Sequence, residues 1–165
     1  MKQVWMAALL LTACGGATDT VDADADREYW LVRHAEKETG DDPALTAAGQ
    51  ARAEALAERL SNAGLTHIHS TDTRRTRDTA APTAAQMRLE VEIYDARDLD
   101  GFAGALLGMD GAHLVVGHSN TTPGLADALG CGPQDEIVEA TEYDRLYHIR
   151  VAGEGVDCRV ERYGG

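Results

Sequence analysis

The order of apolar and amphipathic segments predicts an α/β fold: a three-layer sandwich in which a mostly parallel central sheet is flanked by helices. From Tyr29 onward, short apolar runs alternate with stretches of helical periodicity, which is the sequence pattern of such folds. The composition agrees, because a chain with 44% hydrophobic residues but only 5% aromatic ones, rich in Ala and Gly, suits helices packed closely on a sheet better than an all-β sandwich. At 165 residues there is room for one core and one catalytic unit, and no internal repeat divides it.

The first strand is Tyr29-Trp30-Leu31-Val32. Thr46 is placed to cap a helix over Ala47–Asn62, whose Gly49, Ala53, Leu56, Ala57 and Leu60 recur at helical spacing, and Gly64 closes it. Thr66–His69 reads as the second strand. Thr73–Met87 reads as the second helix, kinked or restarted at Pro82, whose ring and missing N–H disrupt a helix interior. Leu89–Tyr94 is a third strand and His113–Gly117 a fully buried fourth. Pro123–Leu129 begins a helix with Pro in its first turn, and Leu146–Val151 and Arg159–Tyr163 are late strands.

The N-terminus has the character of a targeting segment: Lys2, an apolar run from Val4 to Leu11, then Leu11-Thr12-Ala13-Cys14 before Gly15-Gly16. That ending resembles a bacterial lipobox, in which cleavage before the cysteine leaves a residue that carries acyl chains. An apolar run of this length is too short to span a bilayer. Residues 1–13 are therefore expected to be a lipoprotein signal peptide, 14–27 the lipidated Cys14 and an acidic tether (ATDTVDADAD, no hydrophobic periodicity), and 28–165 the folded domain. Such a chain works outside the cytoplasm, lipid-anchored to a bacterial membrane and facing the periplasm. Disulfides persist there, and Cys131 and Cys158 are the two thiols left to pair.

With 15 Lys and Arg against 28 Asp and Glu, the formal net charge is −13, which repels nucleic acid and anionic lipid surfaces. A small phosphate ester is another matter, since a local cluster of Arg and His can make a positive pocket in a negative protein. Three such groups fall at comparable places. Arg33-His34 follows the first strand, Arg74-Arg75 opens the helix after the second, and His118 comes directly after the strand HLVVG. Ligands of open α/β sheets bind beyond the carboxyl ends of the strands, so the fold would collect these residues at one edge. Each taken singly is more often a surface or packing residue.

Together they resemble a known family. Leu31-Val32-Arg33-His34-Ala35-Glu36, Leu45-Thr46-Ala47-Ala48-Gly49, the block Ser70–Ala80 and Val115-Val116-Gly117-His118-Ser119-Asn120 are similar, in that order, to four motifs of the histidine phosphatase superfamily, the phosphoglycerate-mutase-like group. The resemblance covers nearly all of Trp30–His148 and, lacking a sizeable insertion, looks like the small cap-less bacterial branch that includes phosphohistidine phosphatases. It implies hydrolysis of a phosphomonoester or phosphoramidate through a phosphohistidine intermediate, with His34 as nucleophile and Arg33, Arg75 and His118 as donors to the phosphoryl oxygens. The motif register selects Arg75 over Arg74. Ser119 and Asn120 are expected to help bind substrate. Neither cofactor nor metal is called for, and His67 and His69 are expected to serve packing or surface roles. The family's usual proton donor lies about two dozen residues past the second arginine; here Asp98 is the first choice and Asp100 the second, against the alternative that they cap a helix beginning near Gly101. A phosphoglycerate-mutase-like isomerase and a non-catalytic phospholigand-binding lipoprotein are the competing functions, and the oligomeric state is open.

If Cys14 is acylated, cells expressing the chain and fed radiolabelled palmitate will label it, and Cys14→Ser will abolish the label. Label that persists in Cys14→Ser, or never appears in the parent, removes the lipid anchor.

Overall fold

The structure, a computed structural model, describes residues 27–164. The segments expected as a signal peptide and as the Cys14 tether fall outside the described residues, apart from Arg27, which already belongs to the first strand. The strands are β1 (Arg27–Arg33), β2 (His67–Ser70), β3 (Val91–Ile93), β4 (Gly111–Gly117), β5 (Arg145–Ala152) and β6 (Gly155–Arg162), and the helices are α1 (Ala47–Arg59), α2 (Arg74–Met87), α3 (Leu99–Leu107) and α4 (Thr121–Ala126). One six-stranded sheet has the order β3-β2-β4-β1-β5-β6. β3, β2, β4 and β1 pair in parallel, while β5 is antiparallel to both β1 and β6.

Alternation along the strands builds the three layers. On β1, Tyr29 and Leu31 join a core with Leu106 of α3 and Leu125 of α4 on one face. Trp30 and Val32 join Leu56 and Leu60 on or beside α1 and Ala80 and Ala84 of α2 on the other. Each large apolar side chain buried in this way contributes about 1.5–3 kcal/mol relative to exposure. Thr46 caps α1 as its type predicts, accepting from the Gly49 N–H at 3.1 Å. Glycine is required at 49 because a Cβ there would sit 2.0 Å from the carbonyl oxygen of Glu36.

Several elements differ from the sequence reading. α2 runs unbroken through Pro82. The proline lies on the helix's half-exposed flank, while Thr76, Thr79, Ala80, Thr83 and Ala84 hold the buried face against the sheet and α1, so packing overrides the lost bond. β3 is shorter than Leu89–Tyr94, and β6 begins at Gly155 rather than Arg159. The helix expected near Gly101 is α3, which begins at Leu99. α4 is short and opens into a wide turn, Asp127–Cys131, in which Gly130 takes φ +99°, a conformation that disfavours other residues. Cys131 at its end is bonded to Cys158 of β6, with a Cα–Cα distance of 5.7 Å across a sequence separation of 27. In the chain-entropy model a closure of that size contributes roughly 3–4 kcal/mol.

A stack of histidines is built into the β2–β4 pair. The His67 and His113 rings lie 4.6 Å apart and nearly parallel. His69 Nε2 and His113 Nδ1 are 3.1 Å apart and share one hydrogen bond, in which one nitrogen donates and the other accepts. Burial, with the neighbouring imidazoles adding to it, lowers His69 and His113 to about 4. Among the described residues no group of three or more His, Cys, Asp or Glu is arranged to hold a metal ion.

Because both pKa values are depressed on folding, the unfolded chain takes up protons that the native one refuses once pH falls below about 6.5. Native stability is therefore full near pH 7 and declines toward pH 4, by up to about 1.4 kcal/mol per pH unit for each histidine. Thermal melts should give a lower Tm at pH 5 than at pH 7, and His69→Gln should reduce that difference whatever its own Tm. A Tm that is flat or rising between pH 7 and 5 would overturn the account.

Candidate active site

The parallel register of β1 and β4 sets Arg33 opposite Gly117. The next residues, His34 and His118, therefore leave the sheet side by side at the carboxyl end of the strands. The His34 N–H donates to the Gly117 carbonyl at 3.0 Å, extending the ladder by one bond. The two imidazoles meet edge to face, with centroids 5.6 Å apart. Glycine at 117 leaves room for its neighbours: a Cβ would come within 2.9 Å of both Thr121 Oγ1 and Tyr94 Oη.

His34 is buried, and its Nδ1 lies 2.8 Å from the carbonyl oxygen of Ala35. A carbonyl only accepts, so Nδ1 carries the proton and Nε2 holds the lone pair. Burial lowers the imidazole to about 3, with the charges of Arg33, His118 and Arg75 acting in the same direction. At neutral pH the group is an unprotonated nitrogen nucleophile. Its loop is braced on three sides. Ala35 N–H donates to Thr79 Oγ1 on α2 at 2.9 Å. Thr46 N–H donates to the Glu36 carbonyl, and the Glu36 carboxylate accepts a bidentate pair from Arg52 of α1 at 2.8–3.0 Å.

His118 stands between two partners. Arg75 Nη2 donates toward its Nδ1 at 3.4 Å, and its Nε2 donates to Thr71 Oγ1 at 2.9 Å, which passes a hydrogen bond on to Thr76. Burial, reinforced by Arg75 and Arg33, lowers His118 to about 4. Thr121 Oγ1 accepts from its backbone N–H.

Both arginines offer free donors. Nε and Nη2 of Arg33 and Nε of Arg75 are buried without a hydrogen-bond partner among the described residues. Arg74 is turned outward and pairs with Asp78. Of the doublet, then, Arg75 is the residue aimed at the histidines. Asp42, at φ +45°, accepts from the Arg74 N–H at 2.8 Å and lies 3.9 Å from Arg75 Nη1, fastening the 38–43 loop to the start of α2.

The structure thus gathers Arg33, His34, Arg75 and His118 into one cationic centre. Ser119 and Asn120 line an adjoining pocket with Gln134, Glu136 and Glu139. Asp98 is not brought into the centre. It caps α3, accepting from the Gly101 N–H at 3.0 Å, and lines a separate groove with His69, Glu92, Tyr94 and Phe102. No hydrogen bond or ion pair joins Asp98 or Asp100 to the four central residues among the described residues. Sequence reading missed Thr71, Thr79 and Tyr143, since a threonine or tyrosine carries no signal of its role until the register is known. Arg52 had a weak one, its place on α1 beside the capping helix start.

Residues 29–100 match the model of the histidine phosphatase superfamily, branch 1. Over 78 residues the chain is 41% identical to a Proteus mirabilis protein named "Probable phosphoglycerate mutase GpmB", an alignment that covers 42% of this chain and 36% of that one. Several solved structures share the fold at 16% identity. Mycobacterial hydrolase 1 has a TM-score of 0.66, with 85% of this chain and 99% of that one covered. A mycobacterial glucosyl-3-phosphoglycerate phosphatase complexed with inorganic phosphate has a TM-score of 0.64, with 84% and 97% covered. The protein histidine phosphatase SixA complexed with tungstate has a TM-score of 0.63, with 82% and 95% covered. The match over residues 29–100 is thus to the histidine phosphatase superfamily, the chain spans about a third of the length of the Proteus mirabilis relative, and the solved structures share its fold.

Proposed function

We propose that the chain is a phosphatase that hydrolyses a phosphomonoester or phosphoramidate through a phosphohistidine at His34, and that a lipid on Cys14 holds it at a bacterial membrane. The observation that carries the catalytic reading is the His34 imidazole: neutral, with its proton committed to Ala35 and its Nε2 lone pair free, beside two guanidinium groups in which Nε and Nη2 of Arg33 and Nε of Arg75 are buried with no partner among the described residues. In the first step Nε2 attacks phosphorus in line, forming a P–N bond as the bond to the leaving group breaks and its electron pair departs with the leaving atom. Water then attacks the phosphorus, the P–N bond breaks, orthophosphate leaves and the imidazole is restored. Charge on the equatorial oxygens is met by Arg33 and Arg75, whose planar forks fit such oxygens. No metal or cofactor enters the scheme. The small phosphorylated substrate is the partner; nucleic acid is disfavoured by the charge of −13.

Incubation with a ³²P phosphodonor should trap acid-labile, alkali-stable label that His34→Ala abolishes, and Arg75→Ala should slow turnover at least about a hundredfold more than Arg74→Ala, in keeping with loss of a transition-state donor. Equal losses for the two arginines would break the register. The mutase reading, favoured by the Proteus mirabilis likeness, predicts instead that the trapped phosphoryl passes to a second hydroxyl rather than to water.

The leaving group separates substrates further. An alkoxide must be protonated as it departs, whereas a phenolate with a pKa near about 7 needs little help. With Asp98 holding the N-terminus of α3, and Asn equally able to cap, Asp98→Asn should leave the ratio of alkyl to aryl phosphate hydrolysis unchanged. The preferred substrates are then those with easy leaving groups, phosphoramidates among them. A selective loss on the alkyl ester would instead make Asp98 the proton donor.

A further inference from the structure

Arg33 carries a charge held almost entirely inside the domain. It is 1% exposed, yet within the described residues Nη1 alone has a hydrogen-bond partner, the Glu142 carbonyl at 3.0 Å. One face of the guanidinium lies over the ring of Tyr143, with Cζ 4.2 Å from the centroid. The same ring is 6.2 Å from that of His34. An arginine side chain has several torsions and loses substantial rotamer freedom when held in one pose. Here one nitrogen is pinned by a carbonyl and one face by an aromatic ring. The side-on edge formed by Nε and Nη2 is what remains, the edge that meets two oxygens of a phosphoryl group in parallel.

The ring is itself fixed. Tyr143 lies near the end of the segment between Cys131 and β5. One end of that segment is tied to β6 by the Cys131–Cys158 disulfide. At the other, the Glu142 carboxylate accepts from Arg145 at 2.8 Å, pairs with Arg162 at 2.8 Å and takes the Val138 N–H at 3.0 Å. Tyr143 reaches Arg33 from a different part of the chain than any motif residue, and nothing in its own position in the sequence marks it.

We infer that Tyr143 is a positioning residue, whose ring aims the free edge of Arg33 at the phosphoryl oxygens beside His34. The inference rests on the phosphatase reading. Its reach is through Arg33, and the ring makes no bond to the reacting atoms.

The test is calorimetric binding of tungstate to the full chain, with kcat and KM for p-nitrophenyl phosphate and Tm measured alongside. Tyr143→Leu should weaken tungstate binding about tenfold and raise KM by a similar factor, as expected for loss of a partly desolvated cation–π contact, while Tm changes little because the residue is half-buried. Tyr143→Phe keeps the ring and should restore most of the affinity. In an Arg33→Ala background, Tyr143→Leu should have no further effect on tungstate. Undiminished affinity in Tyr143→Leu, a Phe variant as impaired as Leu, or additive losses in the Arg33→Ala background would each overturn the positioning role. A parent chain that neither binds tungstate nor turns over would overturn the phosphatase reading and this inference with it. A parent that does both beside an unchanged Tyr143→Leu overturns the positioning role alone.

Discussion

A guanidinium that cannot lose its proton lies almost wholly out of water, and the rest of the site is arranged around that fact. Removing a charge from water costs several kcal/mol even after a protein relaxes around it, and is tolerated only where polar partners or an aromatic face offset part of the cost. Arg33 has one carbonyl and one tyrosine ring, and two of its donors are left over. The two apolar cores on either side of the sheet supply the stability that such a residue consumes. The burial that makes the cation costly also strengthens its field, since interactions at low effective dielectric are several times those in water. A dianionic phosphoryl group is the kind of partner for which that exchange is favourable.

The same dryness decides the protonation of the histidines. Desolvation is the first cause of the low values at His34 and His118, and the neighbouring guanidinium charges reinforce it. A solvated imidazole beside a carboxylate would be partly protonated at neutral pH and poor as a nucleophile. Here no carboxylate hydrogen-bonds to either ring among the described residues, and the Ala35 carbonyl settles which nitrogen keeps the lone pair. Orientation comes from the backbone. The Arg33–Gly117 register and the His34 N–H bond to Gly117 place the His34 and His118 side chains by ladder geometry, leaving little to loop conformation.

What the sequence made legible follows from this division. The strands carrying Arg33 and His118 are short apolar runs with period and composition that admit few other readings, so the edge at which these residues meet could be inferred from topology. Arg75 could be told from Arg74 only through motif register, and geometry gives the reason: one faces His118, the other Asp78. Pro82 misled, because a local rule about lost hydrogen bonds was outweighed by a buried face that includes Thr79, itself bonded to the His34 loop. Asp98 satisfied two rules at once, spacing for a proton donor and chemistry for a helix cap, and the cap is the contact the structure contains. Tyr143 was illegible for a different reason. Its partner is 110 positions away in the chain, and no local pattern encodes a contact made only when β5 docks against β1.

The global and local charges act over different distances. A net −13 is felt by an approaching polyanion over much of its length, but at physiological salt the field of exposed carboxylates fades within about 8 Å. A single phosphoryl group would meet that weakened repulsion only briefly before reaching Arg33, which is almost wholly out of water, and Arg75, which is partly so. Nucleic acid and anionic membrane surfaces, which must bring many charges close together, meet the repulsion in full. On the proposed reading the acidic exterior and the cationic centre act as one device: the first disfavours extended polyanions and the second suits an isolated phosphoryl group. A tether that kept such a domain near an anionic bilayer would have to work against the first, which a lipid inserted in the membrane can do and a basic patch on this surface could not.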